Sequence, residues 1–299
     1  MNAVPYRLLR YQLPMLLTGA RVVGHTVLNA IVPASRPAAR ATATALRIMP
    51  VARVIAAPPD ALVAEYIRWA GAAGYGDELP PHMVSQWSLP LVGELLLHMP
   101  YKLTSVINQG VSLRVHGPLP RHVPLNVSAA VEQIEETPGR IKVVVAVITG
   151  TAQQPLLVEA RLHMSFLLPG PRTAKTAPAR AAEPTWQPIG QWNADARDGL
   201  RFALLTGDFN PIHWCGPLAR RSVFRSLVLH GFGSFVRSYE TLRQHGVDFK
   251  EIDVRFVKPV PLPSSVLSVQ IAPPGDEGWR PVRLAGGAGS TLHLAGNLR

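Results

Sequence analysis

The sequence predicts an α+β fold built from two copies of one unit, each a long helix followed by a run of antiparallel strands. Three observations predict it. VSLRVHGPLP at Val111–Pro120 and IDVRFVKPVP at Ile252–Pro261 share an aliphatic first residue, arginine at the fourth position (Arg114, Arg255), and proline at the eighth (Pro118, Pro259) and tenth (Pro120, Pro261). A helical stretch precedes each copy. Runs of alternating apolar and polar residues follow each.

Taken in chain order, the first 59 residues hold seven arginines (Arg7, Arg10, Arg21, Arg36, Arg40, Arg47, Arg53) and no acid. The apolar stretch Leu13–Ala20 is too short to span a bilayer, and Arg21 ends it. Residues 1–50 are expected to form a basic helical extension packed on the body of the protein and in weak contact with a membrane surface. A first unit, residues 51–168, places a helix at Val84–Met99, the Val111–Pro120 strand running into a proline-bounded corner, then strands at Leu125–Ile134, Ile141–Ile148 and Leu156–Phe166. Pro169–Pro188 is rich in proline, alanine and charge, lacks periodicity, and reads as a linker. A second unit, residues 189–299, repeats the order: a helix at Leu227–His245, the Ile252–Pro261 strand, then strands at Val266–Ile271, Trp279–Leu284 and Thr291–Leu294. Gly286, Gly287 and Gly289 read as the hairpin turn between the last two.

Composition narrows the function. One cysteine, Cys215, excludes an intrachain disulfide and points to a reducing compartment, read as the cytoplasm. The net charge of +11 has no basic run interleaved with aromatics and no zinc spacing beside it, so nucleic acid is not the expected partner. An anionic small molecule or an acidic carrier protein suits that charge better. No metal, flavin or nicotinamide motif is present, and no cofactor is expected. His82, His98, His116, His122 and His163 show no ligand spacing and read as ordinary surface or strand histidines.

The chemistry concentrates in FALLTGDFNPIHWCGPLA, Phe202–Ala219. An acid, Asp208, and a base, His213, stand five residues apart across the turn formers Asn210 and Pro211. A turn of that length brings a carboxylate and an imidazole to one water, the minimum for adding or removing water by general acid–base catalysis. Trp214 and Phe209 read as wall or core. Cys215 reads as a small half-buried residue.

Phe202, Thr206-Gly207-Asp208, Asn210-Pro211-Ile212-His213 and the closing small residue Ala219 resemble, in order and spacing, the signature of the MaoC-like (hydratase 2) family of (R)-specific enoyl-thioester hydratases. The resemblance covers roughly residues 190–299, and more faintly 50–168. It implies a double hot-dog fold, two curled antiparallel sheets each wrapping a central helix in covalent imitation of a dimer. The chain is then a monomer of that pseudo-dimeric kind, or a homodimer. The implied reaction is reversible syn hydration of a trans-2-enoyl thioester to the (R)-3-hydroxyacyl form. Coenzyme A or carrier-protein phosphopantetheine would enter as part of the substrate. The resemblance implies Asp208 and His213 as catalytic residues, with their two proton roles unassigned. It also implies the Gly231 region of His230-Gly231 as the thioester-oxygen site at a helix start, where N–H groups are free and glycine lets a ligand approach. Ser234 and Asn210 are supporting residues, and His230 either supports the site or buttresses its loop. Arg220, Arg221 and Arg225 are candidates for coenzyme A phosphates, with a solvated basic surface as the plainer reading.

The first copy departs from the signature. Tyr66-Ile67-Arg68-Trp69-Ala70-Gly71 occupies the place of Phe202–Gly207, but Ala72 and Ala73 follow and no acid or histidine does. One active site per chain is expected, with a structural and acyl-binding first half. The alternatives on the same fold are a non-catalytic acyl-thioester binding or assembly subunit and a thioesterase; neither needs the Asn-Pro-Ile-His element.

Overall fold

The computed structural model describes residues 4–31, 48–101, 103, 106–168, 184–287 and 291–299. Ten strands form one sheet: β1 (Val51–Ile55), β2 (Val106–Val115), β3 (Leu125–Thr137), β4 (Arg140–Gly150), β5 (Val158–Leu167), β6 (Gln187–Ala194), β7 (Glu251–Phe256), β8 (Ser264–Ile271), β9 (Arg280–Gly286) and β10 (Thr291–Leu298). Their order is β1-β3-β4-β5-β2-β7-β10-β9-β8-β6, with every pairing antiparallel. The second half thus mirrors the first. The helices are α1 (Leu13–Ile31), α2 (Asp60–Ala70), α3 (Val84–Leu97), α4 (Asp198–Thr206), α5 (Gly216–Arg221) and α6 (Gly231–Gln244).

The repeated segments meet at the centre of the sheet. β2 and β7 pair with Val111 opposite Val254, Ser112 opposite Asp253 and Leu113 opposite Ile252. Ser112 and Asp253 occupy the same position of the repeat, so a pseudo-two-fold axis runs between them. Ser112 donates to the Asp253 carboxylate at 2.5 Å, and Arg114 pairs with Glu251 at 2.7 Å. The two expected sheets are therefore one. Each half alone would present an unpaired strand edge here, and pairing removes both.

Three elements differ from the sequence reading. The second long helix begins at Gly231, not Leu227, because Val228 bridges Pro261 and Leu229 N–H donates to Val260 O at 2.8 Å. Those extended residues deliver the helix N-terminus to the loop that carries Asp208 and His213. The expected linker ends early: Gln187 and Pro188 already belong to β6, paired with Ile271 and Gln270 of β8. Pro188 is tolerated because β6 is an edge strand. Residues 184–186 have no regular structure, and residues 169–183 of that expectation lie outside the described residues. His82 is no surface residue; it is fully buried, as described next.

α3 packs on β1, β3 and β4, and α6 on β6, β8 and β2. Val84, Trp87, Leu91, Val92 and Leu95 of α3 and Phe235, Val236, Tyr239 and Leu242 of α6 are buried in one continuous core. Between the halves, His82 Nε2 lies 2.5 Å from Glu240 Oε1, which also accepts from Tyr75 OH, while Tyr66 OH donates to the His82 carbonyl at 3.0 Å. Burial alone would raise the Glu240 carboxyl, but its hydrogen bond to His82, the His82 charge and the Tyr75 bond outweigh that and hold it low. His82 precedes α3 much as His230 precedes α6. On the first side of the pseudo-dyad, Tyr66, Tyr75 and Glu240 thus surround this buried histidine.

The N-terminal segment packs on the body through the 3-10 turn Tyr6–Gln12 and the first part of α1. Leu8 is fully buried, and Gln12 Nε2 donates to Leu204 O at 2.8 Å.

Candidate active site

The site forms where α4 ends. Asp198 sits in its first turn, nearly fully buried, bonded by Trp69 Nε1 at 3.2 Å and paired with Arg201 at 3.1 Å and Arg237 at 3.3 Å. That network ties α4 to α2 and α6. Gly207 ends the helix at φ +84°, its N–H returning to Ala203 O at 2.8 Å. A side chain there would be strained, and its Cβ would lie 2.7 Å from Met15 Cβ. Gly71 ends α2 in the same left-handed way, so the first copy keeps the turn that launches the motif.

Beyond Gly207 the chain turns tightly. Asn210 N–H donates to Asp208 Oδ1 at 3.3 Å, and Asn210 Oδ1 accepts from Ile212 N–H at 3.3 Å, capping the 3-10 turn Pro211–His213. Asn210 orders the loop and leaves the acid half-exposed. His213 Nδ1 lies 2.8 Å from Val228 O and donates to it, leaving Nε2 with its lone pair. His230 Nε2 donates to Asp208 O at 2.9 Å. Its Nδ1 is buried without a partner among the described residues. The two imidazoles stack, ring centroids 3.6 Å apart. One polar atom from each of Asp208, His213 and His230 lies within 4.8 Å of the others.

Such a trio raises the question of a metal ion. Imidazole lone pairs lie in the ring plane. With ring centroids 3.6 Å apart and planes inclined by only 27°, the rings lie face to face, and their in-plane lone pairs do not converge on one centre about 2 Å from each nitrogen. The geometry suits proton transfer instead. Burial pushes the His213 imidazole down, opposed by the Asp208 charge and the Val228 hydrogen bond. Burial, with the neighbouring His213 adding to it, pushes His230 down to about 3. Both rings are neutral near pH 7.

A pH prediction follows. Unfolded, His230 takes up a proton near pH 6.5; folded, it resists until about pH 3. Its contribution to stability is full above pH 6.5 and is lost progressively as pH falls toward 3, at up to about 1.4 kcal/mol per pH unit. His230→Gln keeps a donor for Asp208 O but does not titrate. Thermal melts of this variant should fall less steeply with acid than wild type; parallel curves would refute the assignment.

The trio opens into a 420 Å³ cavity that crosses from one half to the other. Asp208, His213, His230, Gly231 and Ser234 line one end, and Leu89, Val92, Gly93 and Leu96 of α3 line the other. The first-turn N–H groups of α6 lack helical acceptors, and the helix dipole places partial positive charge there. Ser234 Oγ–H turns back to His230 O at 3.4 Å. Arg220, Arg221 and Arg225 are exposed, and none of them lines the cavity. Trp214 is neither wall nor core: it is exposed, its Nε1 donating to Phe209 O at 3.1 Å. Phe209 packs partly buried against the core.

Sequence reasoning missed Met15, Phe224, Phe256, Lys258 and His293, all of which line the cavity. Only Lys258 left a signal. It replaces Gly117 at the seventh position of the repeat, a cation where the first copy has none. Met15 comes from a segment with no counterpart in the repeat.

The family profile described as MaoC like domain matches residues 173–282, the half that holds the motif. Among curated proteins, no sequence matches. Among solved structures, the chain is similar to HtdX of Mycobacterium tuberculosis (19% identity, TM-score 0.69, 84% of this chain and 99% of that one). It is similar to a MaoC-like dehydratase from Phytophthora capsici (16%, 0.68, 85% and 95%). It also matches full-length peroxisomal multifunctional enzyme type 2 from Drosophila melanogaster (19%, 0.61, 84% of this chain and 48% of that one). These likenesses establish the fold as the α+β hot-dog of MaoC-like proteins.

Proposed function

From a chain whose residues 173–282 match the MaoC-like domain family, we propose a hydro-lyase that interconverts trans-2-enoyl and (R)-3-hydroxyacyl thioesters. One observation carries the reading: an acid and a neutral imidazole, Asp208 and His213, converge beside a free helix N-terminus at the head of a largely apolar cavity. The names of the similar structures, dehydratases among them, agree with it.

Water lies between the Asp208 carboxylate and His213 Nε2, both of which accept its hydrogens. One of the pair takes a proton as oxygen bonds to C3, and the pair returns a proton to C2 on the same face. Both groups act on one water, so the protons are assigned to the pair. Electron density displaced from the double bond collects on the thioester oxygen. The Gly231 N–H at the start of α6 stabilises it, a contribution of a few kcal/mol in comparable sites. His230 is a positioning residue: it holds the Asp208 carbonyl and supports the His213 ring. Coenzyme A or phosphopantetheine is part of the substrate, and no further cofactor enters the reaction.

Crotonyl-coenzyme A provides the test. Loss of enoyl absorbance with no release of free thiol supports a hydratase. Thiol release would make the protein a thioesterase, and no change in either would make it a binding subunit.

The cavity leads the acyl chain across to α3. Leu89→Trp, at a half-buried position on that wall, should shorten the preferred acyl chain while leaving crotonyl turnover near wild type. An unchanged chain-length profile across several such α3 variants would confine substrate selection to the second half.

A further inference from the structure

The N-terminal segment is inverted in polarity. From Gln12 to Arg21 its exposed residues are Leu13, Pro14, Leu16, Leu17, Ala20 and Arg21, whereas the buried ones are Gln12 and Thr18. Leu13 is 58% exposed, Leu17 55%, and Leu9 on the same side 44%. A helix lying on a soluble body turns its polar face outward. Here the only polar groups on the outer face between residues 9 and 21 are Arg10 and Arg21, one at each end of the stripe.

The stripe continues into the body. Beside α1, edge strand β1 exposes Val54 (75%). Between them lies a 350 Å³ cavity walled by Pro14, Leu17, Val54 and Trp87 and rimmed by Arg21 and by Arg53, which is paired there with Glu94.

We propose that this face docks on an anionic lipid surface, its leucines entering the headgroup–acyl boundary and its arginines meeting lipid phosphates. Charge selects the occupant. Arg7 and Arg53 are paired with Glu65 and Glu94, whereas Arg10 and Arg21 pair with no acid among the described residues; the whole chain carries +11, so a second copy would bring repulsion. A folded acidic partner would call for polar groups along the flanks of the stripe; the exposed residues between the two arginines are all apolar. Among the described residues no helix is long and apolar enough to cross a membrane, which leaves the helix lying in the interface plane. Met15, on the inner face of α1, lines the catalytic cavity, so docking sets that cavity next to the bilayer.

The test is sedimentation of the full chain with vesicles of phosphatidylcholine, with and without phosphatidylglycerol. Wild type should bind the anionic vesicles and release at high salt. Arg10→Gln and Arg21→Gln should each weaken binding about five-fold. Leu13→Ser with Leu17→Ser should abolish it while leaving the melting temperature unchanged, since these side chains face outward. Equal binding to both vesicle types, no binding to either, or no effect of the arginine variants would overturn the proposal. So would a leucine-dependent dimer in light scattering, or a fall in melting temperature that places the leucines on a covered face.

Discussion

Replacing Asp208 by asparagine, or His213 by alanine, is expected to lower turnover on crotonyl-coenzyme A by at least ~100-fold, as removal of a positioned acid–base group does. Asparagine keeps the shape of the acid and still accepts from the Asn210 N–H, so the loop stays ordered. What it loses is the capacity to take a proton. His213→Ala removes the Nε2 lone pair that the Val228 carbonyl holds in place. The double variant should be little worse than either single one, because the two groups act on one water. Steady-state rates with parallel melting curves check this. Near wild-type turnover in either single variant would remove the pair from the chemistry.

Gly199→Ala should be nearly as damaging, although residue 199 touches no substrate. Gly199 is the second residue of α4, where alanine's propensity gain over glycine is at most the roughly 1 kcal/mol of a helix interior. Here the new Cβ would overlap the backbone carbonyl oxygen of His213. Backbone cannot swing aside as a side-chain tip does. Helix α4 is held by Asp198 to α2 and α6, so the 3-10 turn Pro211–His213 must yield. Overpacking of this kind costs about 1–3 kcal/mol, which outweighs the propensity gain. A displacement of about 1 Å at His213 is enough to lower the rate on the order of 100-fold. The variant should therefore melt lower and lose turnover together. A stabilised, active Gly199→Ala protein would show that α4 and the catalytic turn are not in rigid contact.

Much of this was legible in the sequence because repetition and spacing are local. The shared Arg114/Arg255 and Pro118/Pro259 register located the two repeat strands, which the fold then pairs, and the motif spacing located the two residues, Asp208 and His213, that the fold brings together. What escaped depended on tertiary placement. β1 and β6 are edge strands, one short and one opening with Gln187-Pro188, and neither shows a buried alternation. His82 looked like any other histidine until Glu240, 158 residues away, was brought against it. Met15 and His293 reach the cavity from opposite ends of the chain, and no spacing rule joins them to the motif. The start of α6 shifted to Gly231 because strand pairing at Val228 outcompeted helix propensity.

Hydration of crotonyl-coenzyme A in deuterium oxide, followed by proton magnetic resonance of the product, tests the central claim most directly. A single water held by Asp208 and His213 on one face predicts (R)-3-hydroxybutyryl-coenzyme A with one deuterium at C2, added on the same face as the C3 oxygen. An (S) product, deuterium on the opposite face, or an enoyl thioester left unchanged would contradict it.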